Sequence, residues 1–193
     1  DCLLSRGLGD VYKRQVPGGF TYREDIVEEL DIDMSAVTKP EDLTAVFEKV
    51  KEAYPDMVII DPNRANALFE TYLGKIACFD PLGDNIANTV SGVAYQDDST
   101  VVSIYETPEF HELCDLTRSW YEAGYYASDA ATTTATTAEL LMSGNCFGTF
   151  CGLGNPKIAE QYTTNYGHPF DNVQISDSMI WAGNNLSLIH ISE

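Results

Sequence analysis

The chain predicts an α/β fold, cut down to a small mixed sheet with helices around it, and three stretches carry that expectation. First, Cys146–Cys151 is a short apolar run of strand length, followed at once by Gly152-Leu153-Gly154 and then by Asn155-Pro156, the form of an N-cap and first helical residue. Second, Leu43, Val46, Phe47 and Val50 repeat at helical spacing, and Pro55 stops the pattern. Met57–Ile60 then follows as an apolar run suited to a buried strand parallel to its neighbour. Third, Thr107-Pro108 opens a long helix whose apolar positions Phe110, Leu113, Cys114, Thr117, Trp120 and Tyr121 continue to Gly124. A strand, a glycine turn and a helix start in succession leave free N–H groups beyond the strand's carboxyl end, which is where ligands sit in open α/β sheets.

Taken in order, Phe20-Thr21-Tyr22 reads as a strand leading into Arg23-Glu24-Asp25, and Ile26, Val27 and Leu30 form the apolar side of a short helix. Its acidic start suits the helix dipole. Thr38 and Glu41 make a capping-box pattern ahead of the Leu43 helix. Asp61-Pro62-Asn63-Arg64 falls at the carboxyl end of the Met57–Ile60 strand, ahead of a helix through Ala67, Leu68, Tyr72 and Leu73. Asn63 and Arg64 carry hydrogen-bonding forks suited to hydroxyls or carboxylates; a helix cap with a surface arginine is the alternative. Phe79–Gly83 and Val90–Tyr95 suggest irregular sheet or loop, an Asp97-Asp98 turn follows, and Ser99–Ile104 suggests a strand. Trp120 belongs to the core by its spacing. Thr137 can cap a helix carrying Leu140, Leu141 and Met142, which Gly144 ends in the left-handed conformation. Tyr162–Pro169 is turn-rich and contains His168, and Val173–Ile175 suits an edge strand.

Both ends stand apart. Asp10–Gln15 (DVYKRQ) and Leu186–Ile191 (LSLIHI) become the same DNA when back-translated on opposite strands, and the pairing extends through Gly9 with Ser192 and Leu8 with Glu193. The shared sequence is similar to a transposase adapter used in library preparation. The expectation is therefore an internal gene fragment over 16–185, with 1–15 adapter-derived or of uncertain origin and 186–193 adapter-derived.

The net charge of −19 belongs to the middle of the chain, because the tails carry Arg6, Lys13 and Arg14 against Asp1, Asp10 and Glu193. Such acidity disfavours nucleic acid and anionic membrane surfaces, both of which need basic clusters, and accords with work outside the cell. At 44% hydrophobic residues the chain can bury a core. It has no apolar run long enough to span a bilayer. Cys78, Cys114, Cys146 and Cys151 form no C-x-x-C pair. On a strand, Cys146 and Cys151 point to opposite faces, so free buried thiols are expected; a Cys78–Cys114 disulfide is possible without support.

Catalytic signatures are incomplete. His111-Glu112-Leu113-Cys114-Asp115 lacks the second histidine of a zinc protease helix, and Gly152-Leu153-Gly154 lacks the third glycine of a dinucleotide fingerprint and the lysine of a P-loop. Asp31-Ile32-Asp33 lacks the glycine and glutamate of a calcium loop. Cys78 or Cys114 with His111 or His168 has no nucleophile context. No cofactor or metal is expected. Abundant carboxylates leave a glycoside hydrolase, with two acids across a cleft, as the alternative to a binding protein.

Three stretches carry a resemblance. Gly18–Asp56 offers a strand, Arg23-Glu24-Asp25 and Thr38-Lys39-Pro40-Glu41-Asp42-Leu43; Glu109–Ala131 offers a helix with the exit Gly124-Tyr125-Tyr126-Ala127-Ser128-Asp129-Ala130; Thr132–Lys157 offers helix, glycine, core strand and glycine loop. In that order, over about half of the chain, they resemble family 1 extracellular solute-binding proteins, the capturing components of ABC importers. The resemblance implies a periplasmic-binding-protein-like type 2 fold, here mostly one lobe, in which Ala130–Thr137 is a loop between helices. It implies capture of a sugar or oligosaccharide for a membrane permease by an extracellular, lipid-anchored or periplasmic protein, the anchor lying outside this chain. Met179–Asn184 resembles the segment that crosses between lobes, which makes Trp181 an aromatic platform for a sugar face, with a core tryptophan as the alternative. The implied ligand contacts are Asn63, Arg64, Gly154, Asn155 and Trp181, with Tyr22 near the hinge.

Overall fold

The computed structural model describes residues 19–64, 68–69, 79–82, 91–94, 100–151 and 156–175. Strand β1 (Gly19–Arg23) passes directly into helix α1 (Glu24–Glu29), and helix α2 (Leu43–Ala53) leads to β2 (Val58–Ile60). Then come β3 (Phe79–Pro81), β4 (Ser91–Ala94), β5 (Val101–Ser103) and the long helix α3 (Pro108–Glu122). Helix α4 (Thr137–Met142), β6 (Cys146–Cys151), helix α5 (Pro156–Tyr166) and β7 (Phe170–Gln174) complete the described chain. The tails over 1–15 and 186–193 lie outside the described residues, as does most of the helix expected after Arg64, of which 68–69 are helical.

A four-stranded mixed sheet in the order β2-β6-β1-β7 positions everything that follows. Strand β2 runs parallel to β6 with Ile60 opposite Gly148, as the apolar Met57–Ile60 run predicts; β1 is antiparallel to both its neighbours. Strand β7 is an edge, and it begins at Phe170, earlier than Val173. A second, antiparallel sheet joins β3, β4 and β5, the first two in the stretches expected to be irregular sheet or loop and the third within the strand expected over Ser99–Ile104.

The core is built where the helical stripe meets the sheet. Leu43, Val46, Phe47 and Val50 are all buried on α2, the face that their spacing predicts. Phe47 meets Phe20 edge-on at 5.3 Å and Trp120 at 5.3 Å, and Trp120 stacks on Phe150 at 6.0 Å. Such ring pairs add to area burial through edge-to-face attraction. Trp120 is wholly buried, and its indole N–H donates to the Thr44 hydroxyl at 2.9 Å, which makes it the core residue expected. A smaller cluster joins Leu141, Cys146 and Phe170 with Tyr162 and Tyr166 of α5.

Strand alternation breaks along β6. Phe147 and Phe150, three apart, both enter the larger cluster. Between them, at Gly148, a Cβ would lie 2.5 Å from the ring of Phe20 and 2.6 Å from the carbonyl oxygen of Thr21. Only glycine lets the ring lie against the strand there.

Two caps shift from where the sequence placed them. Thr38 and Glu41 form no box: the chain makes a 3-10 turn over Pro40–Asp42, which brings the Asp42 carboxylate into reach instead. It accepts from the Thr38 N–H at 3.0 Å, the Thr38 hydroxyl at 3.0 Å and the Lys39 N–H at 3.1 Å. At α4 the cap is Thr136 rather than Thr137, in a reciprocal box with Glu139. Thr107 and Gly144 behave as predicted, Thr107 capping α3 and Gly144 ending α4 at φ 72°. Cys114 and Cys146 are free thiols among the described residues, and Cys78 lies outside them.

Candidate ligand-binding rim

Because β2 and β6 are parallel, the chain leaves both strands along one rim of the sheet. The Asp61 N–H extends the ladder by donating to the Gly148 carbonyl at 3.0 Å, after which Pro62–Arg64 make a single 3-10 turn. At that rim Cys151 stands opposite Gly19, where β6 ends and β1 begins.

The residue that organises the rim is Asp61. Its side chain is fully buried, at 0% exposure. Oδ1 accepts from the Asn63 N–H and from Asn63 Nδ2, each at 3.0 Å. Oδ2 accepts from the Thr137 hydroxyl at 2.7 Å and the Thr149 hydroxyl at 3.1 Å. The first pair is local chemistry, since an aspartate before Pro-Asn readily bonds the backbone two residues on. The second pair comes from far along the chain. With Thr136 serving as the α4 cap, the Thr137 hydroxyl is free to turn toward the sheet.

Four donors compensate a buried carboxylate that no cation pairs among the described residues. The charge is felt nearby. Burial pushes the Cys146 thiol up to about 12, with the Asp61 carboxylate adding to the effect, and burial followed by the same charge raises the Tyr126 phenol. Both shifts favour the protonated forms, so Cys146, at the amino end of β6, is no activated thiolate.

Asn63 is exposed and doubly tethered. Besides Asp61, its Nδ2 donates to the Ala135 carbonyl at 2.9 Å. Both amide hydrogens are thereby used, which fixes the amide's orientation and leaves its Oδ1 without a donor among the described residues. Arg64 closes the same turn. Gly154, Asn155 and Trp181 lie outside the described residues, although α5 begins at Pro156 as the Asn155-Pro156 pair predicts.

Tyr22 sits elsewhere. It is 5% exposed, stacks against Phe147 at 6.3 Å, and its hydroxyl donates to Asp171 at 3.1 Å across the β1–β7 pair. Burial and the Asp171 charge push the phenol up. Next to it Arg23 marks the opposite rim: Nε and Nη2 donate to Asp25 at 2.8 and 2.6 Å, and Nη1 donates to the Gly144 carbonyl at 3.0 Å. That bidentate bond holds Asp25 below the usual carboxylate range. A surface hollow lined by Lys51, Asp56, Met57, Tyr121 and Tyr126 opens near the amino end of β2. Among the described residues no group of three His, Cys, Asp or Glu side chains could hold a metal ion, and no helix is long and apolar enough to cross a membrane.

Sequence reading singled out the Asp61–Arg64 loop by its position at a strand end, yet missed the role of Asp61 and its partners Ala135, Thr137 and Thr149. The one available signal was the Asp-Pro-Asn order.

The chain has part of a type 2 periplasmic-binding-protein-like fold, a small mixed sheet with flanking helices. The N-glycan transport solute-binding protein from Streptococcus pneumoniae, in complex with Man1GlcNAc, matches with a TM-score of 0.63 at 22% identity over 84% of this chain and 34% of that one. An alginate-binding protein matches with a TM-score of 0.57 at 16% identity, over 83% of this chain and 32% of the other. In sequence, the chain is 32% identical over 119 residues to a carbohydrate ABC transporter substrate-binding protein of Streptococcus pneumoniae serotype 4, a match that covers 58% of this chain. It spans 21% of that relative's length. No protein-family model matches the chain.

Proposed function

We propose that the chain is part of an extracellular or periplasmic solute-binding protein that captures a sugar or oligosaccharide and delivers it to the permease of an ABC importer, without catalysis. The observation that carries this reading is the shared rim of parallel β2 and β6, where the exposed Asn63 is tied to Asp61 and to the Ala135 carbonyl. Sugar hydroxyls need fixed acceptors and donors of this kind, and pockets in such sheets form at strand carboxyl ends. The curated relative is named as a carbohydrate substrate-binding protein, and the solved neighbours are named for glycans. In the fuller reading Asn63, Arg64, Gly154 and Asn155 line one side of the mouth and Trp181 stacks on a sugar face. Tyr22 supports the sheet behind it.

A thermal-shift screen against chitin, mannose-containing and alginate oligosaccharides, with chromatography of the sugars afterwards, tests this. The expected result is a rise in Tm for one class with every sugar recovered intact. Release of shorter products by substoichiometric protein would make it a glycoside hydrolase instead.

A further inference from the structure

We propose that Asp61 is a positioning residue that pre-sets the rim: one carboxylate oxygen holds Asn63 with its carbonyl outward, while the other ties the start of α4 to β6. The inference rests on the reading of this rim as the ligand mouth, and adds to it which atom is offered and what holds it there. Asp61 is too deeply buried to touch a ligand. Its four bonds nonetheless reach the turn after β2, the first residue of α4 and the middle of β6, segments that the chain separates by 76 and 88 positions. Asn63 then spends both Nδ2 hydrogens inside the protein, on Asp61 and on Ala135. Among the described residues, what remains at the surface is an acceptor oxygen of fixed direction. An acceptor selects a hydroxyl or amide donor and disfavours a carboxylate, so this position of the mouth takes a neutral sugar hydroxyl or acetamido N–H rather than a uronate carboxylate. Holding the amide before ligand arrives removes the ordering cost from the binding step.

Hydrogen exchange of the Asn63 side-chain amide, followed by nuclear magnetic resonance on the uniformly nitrogen-15-labelled full chain, reads the latch without any ligand. In the wild type this amide should exchange roughly tenfold slower than the chain's exposed asparagine amides. Asp61→Ala should bring it to the free rate with the β6 amide pattern retained. Asp61→Asn keeps an oxygen toward Asn63 and an NH2 that the two threonine hydroxyls can accept, so it should restore most of the protection. If Asp61→Ala does not fold, Thr137→Val decides, because it removes one bond to Asp61 and leaves the Thr136 cap; a speeding of about threefold is expected. An unprotected Asn63 amide in the wild type, or the wild-type rate in the folded Asp61→Ala or Thr137→Val protein, overturns the proposal. Chitobiose and an oligoguluronate are then titrated separately: an Asn63 amide that is protected but moved by neither sugar counts against the mouth and not the latch, and one moved by the uronate alone overturns the acceptor assignment.

Discussion

Glycine on strand β6 and aspartate just beyond β2 do opposite jobs a few ångströms apart. Gly148 is needed because nothing larger fits: its Cβ position is occupied by the Phe20 ring and approached by the Thr21 carbonyl. A ring can rotate away, but the carbonyl belongs to the β1–β6 ladder and cannot move without opening it. Gly148→Ala should therefore lower stability by about 3 kcal/mol, read as a shift in the urea midpoint at unchanged slope. A loss below roughly 0.5 kcal/mol would show that the strand yields easily and that the packing described is looser than the geometry implies. Asp61, by contrast, is tolerated in the interior because four donors satisfy its carboxylate oxygens.

Helix ends show what could and could not be read from the sequence. The stripe on α2, the Thr107-Pro108 opening of α3 and the Gly144 stop were legible because each depends on residues within one or two turns of each other. The two misplaced caps were local as well: ahead of α2 the Asp42 carboxylate takes the place of Glu41, while at α4 two adjacent threonines offer the same signal and only the distant Asp61 decides which one faces the sheet. Likewise nothing in the polar tract before α4 announces that the Ala135 carbonyl receives Asn63. Of the rim, then, the position was legible and the wiring was not. The division of labour between the two threonines gives a prediction for α4. Thr136→Ala should cost about 1 kcal/mol, and Thr136→Ser should restore most of it. Thermal unfolding of the three proteins checks this; equal melting would mean that Thr137 serves as the cap and is unavailable to Asp61.

Across the whole chain, charge sets the response to pH. At −19 the protein repels itself at neutrality, so mild acidification and added salt should both stabilise it. Glu24 belongs to that effect: burial and the neighbouring Asp171, Glu28 and Asp25 raise its carboxyl, which is therefore relieved by protonation. The opposite sign holds for Asp25, Asp33, Asp42 and Glu139, whose carboxyls are held below their ordinary values by hydrogen bonds to Arg23, Ser35, Thr38 and Thr136 respectively. A folded value below the unfolded one means stability present above the unfolded pKa and lost as pH falls through the folded one. Tm should thus rise from pH 8 to about 5 and fall below about 4. A Tm that climbs steadily to pH 3 would show that those bonds contribute nothing. The same acidity leaves the sugar-binding reading resting on hydroxyl chemistry at one rim of the sheet. Its most direct test is a titration of the nitrogen-15-labelled chain with chitin, mannose-containing and alginate oligosaccharides, following backbone amides. With only part of the fold present, weak binding in the millimolar range is expected, roughly 4 kcal/mol. The account predicts shifts gathered at Asp61–Asn63, Ala135–Thr137 and Gly148–Cys151, whereas shifts gathered instead around Arg23, Gly144 and His168, or no shift with any sugar, would contradict it.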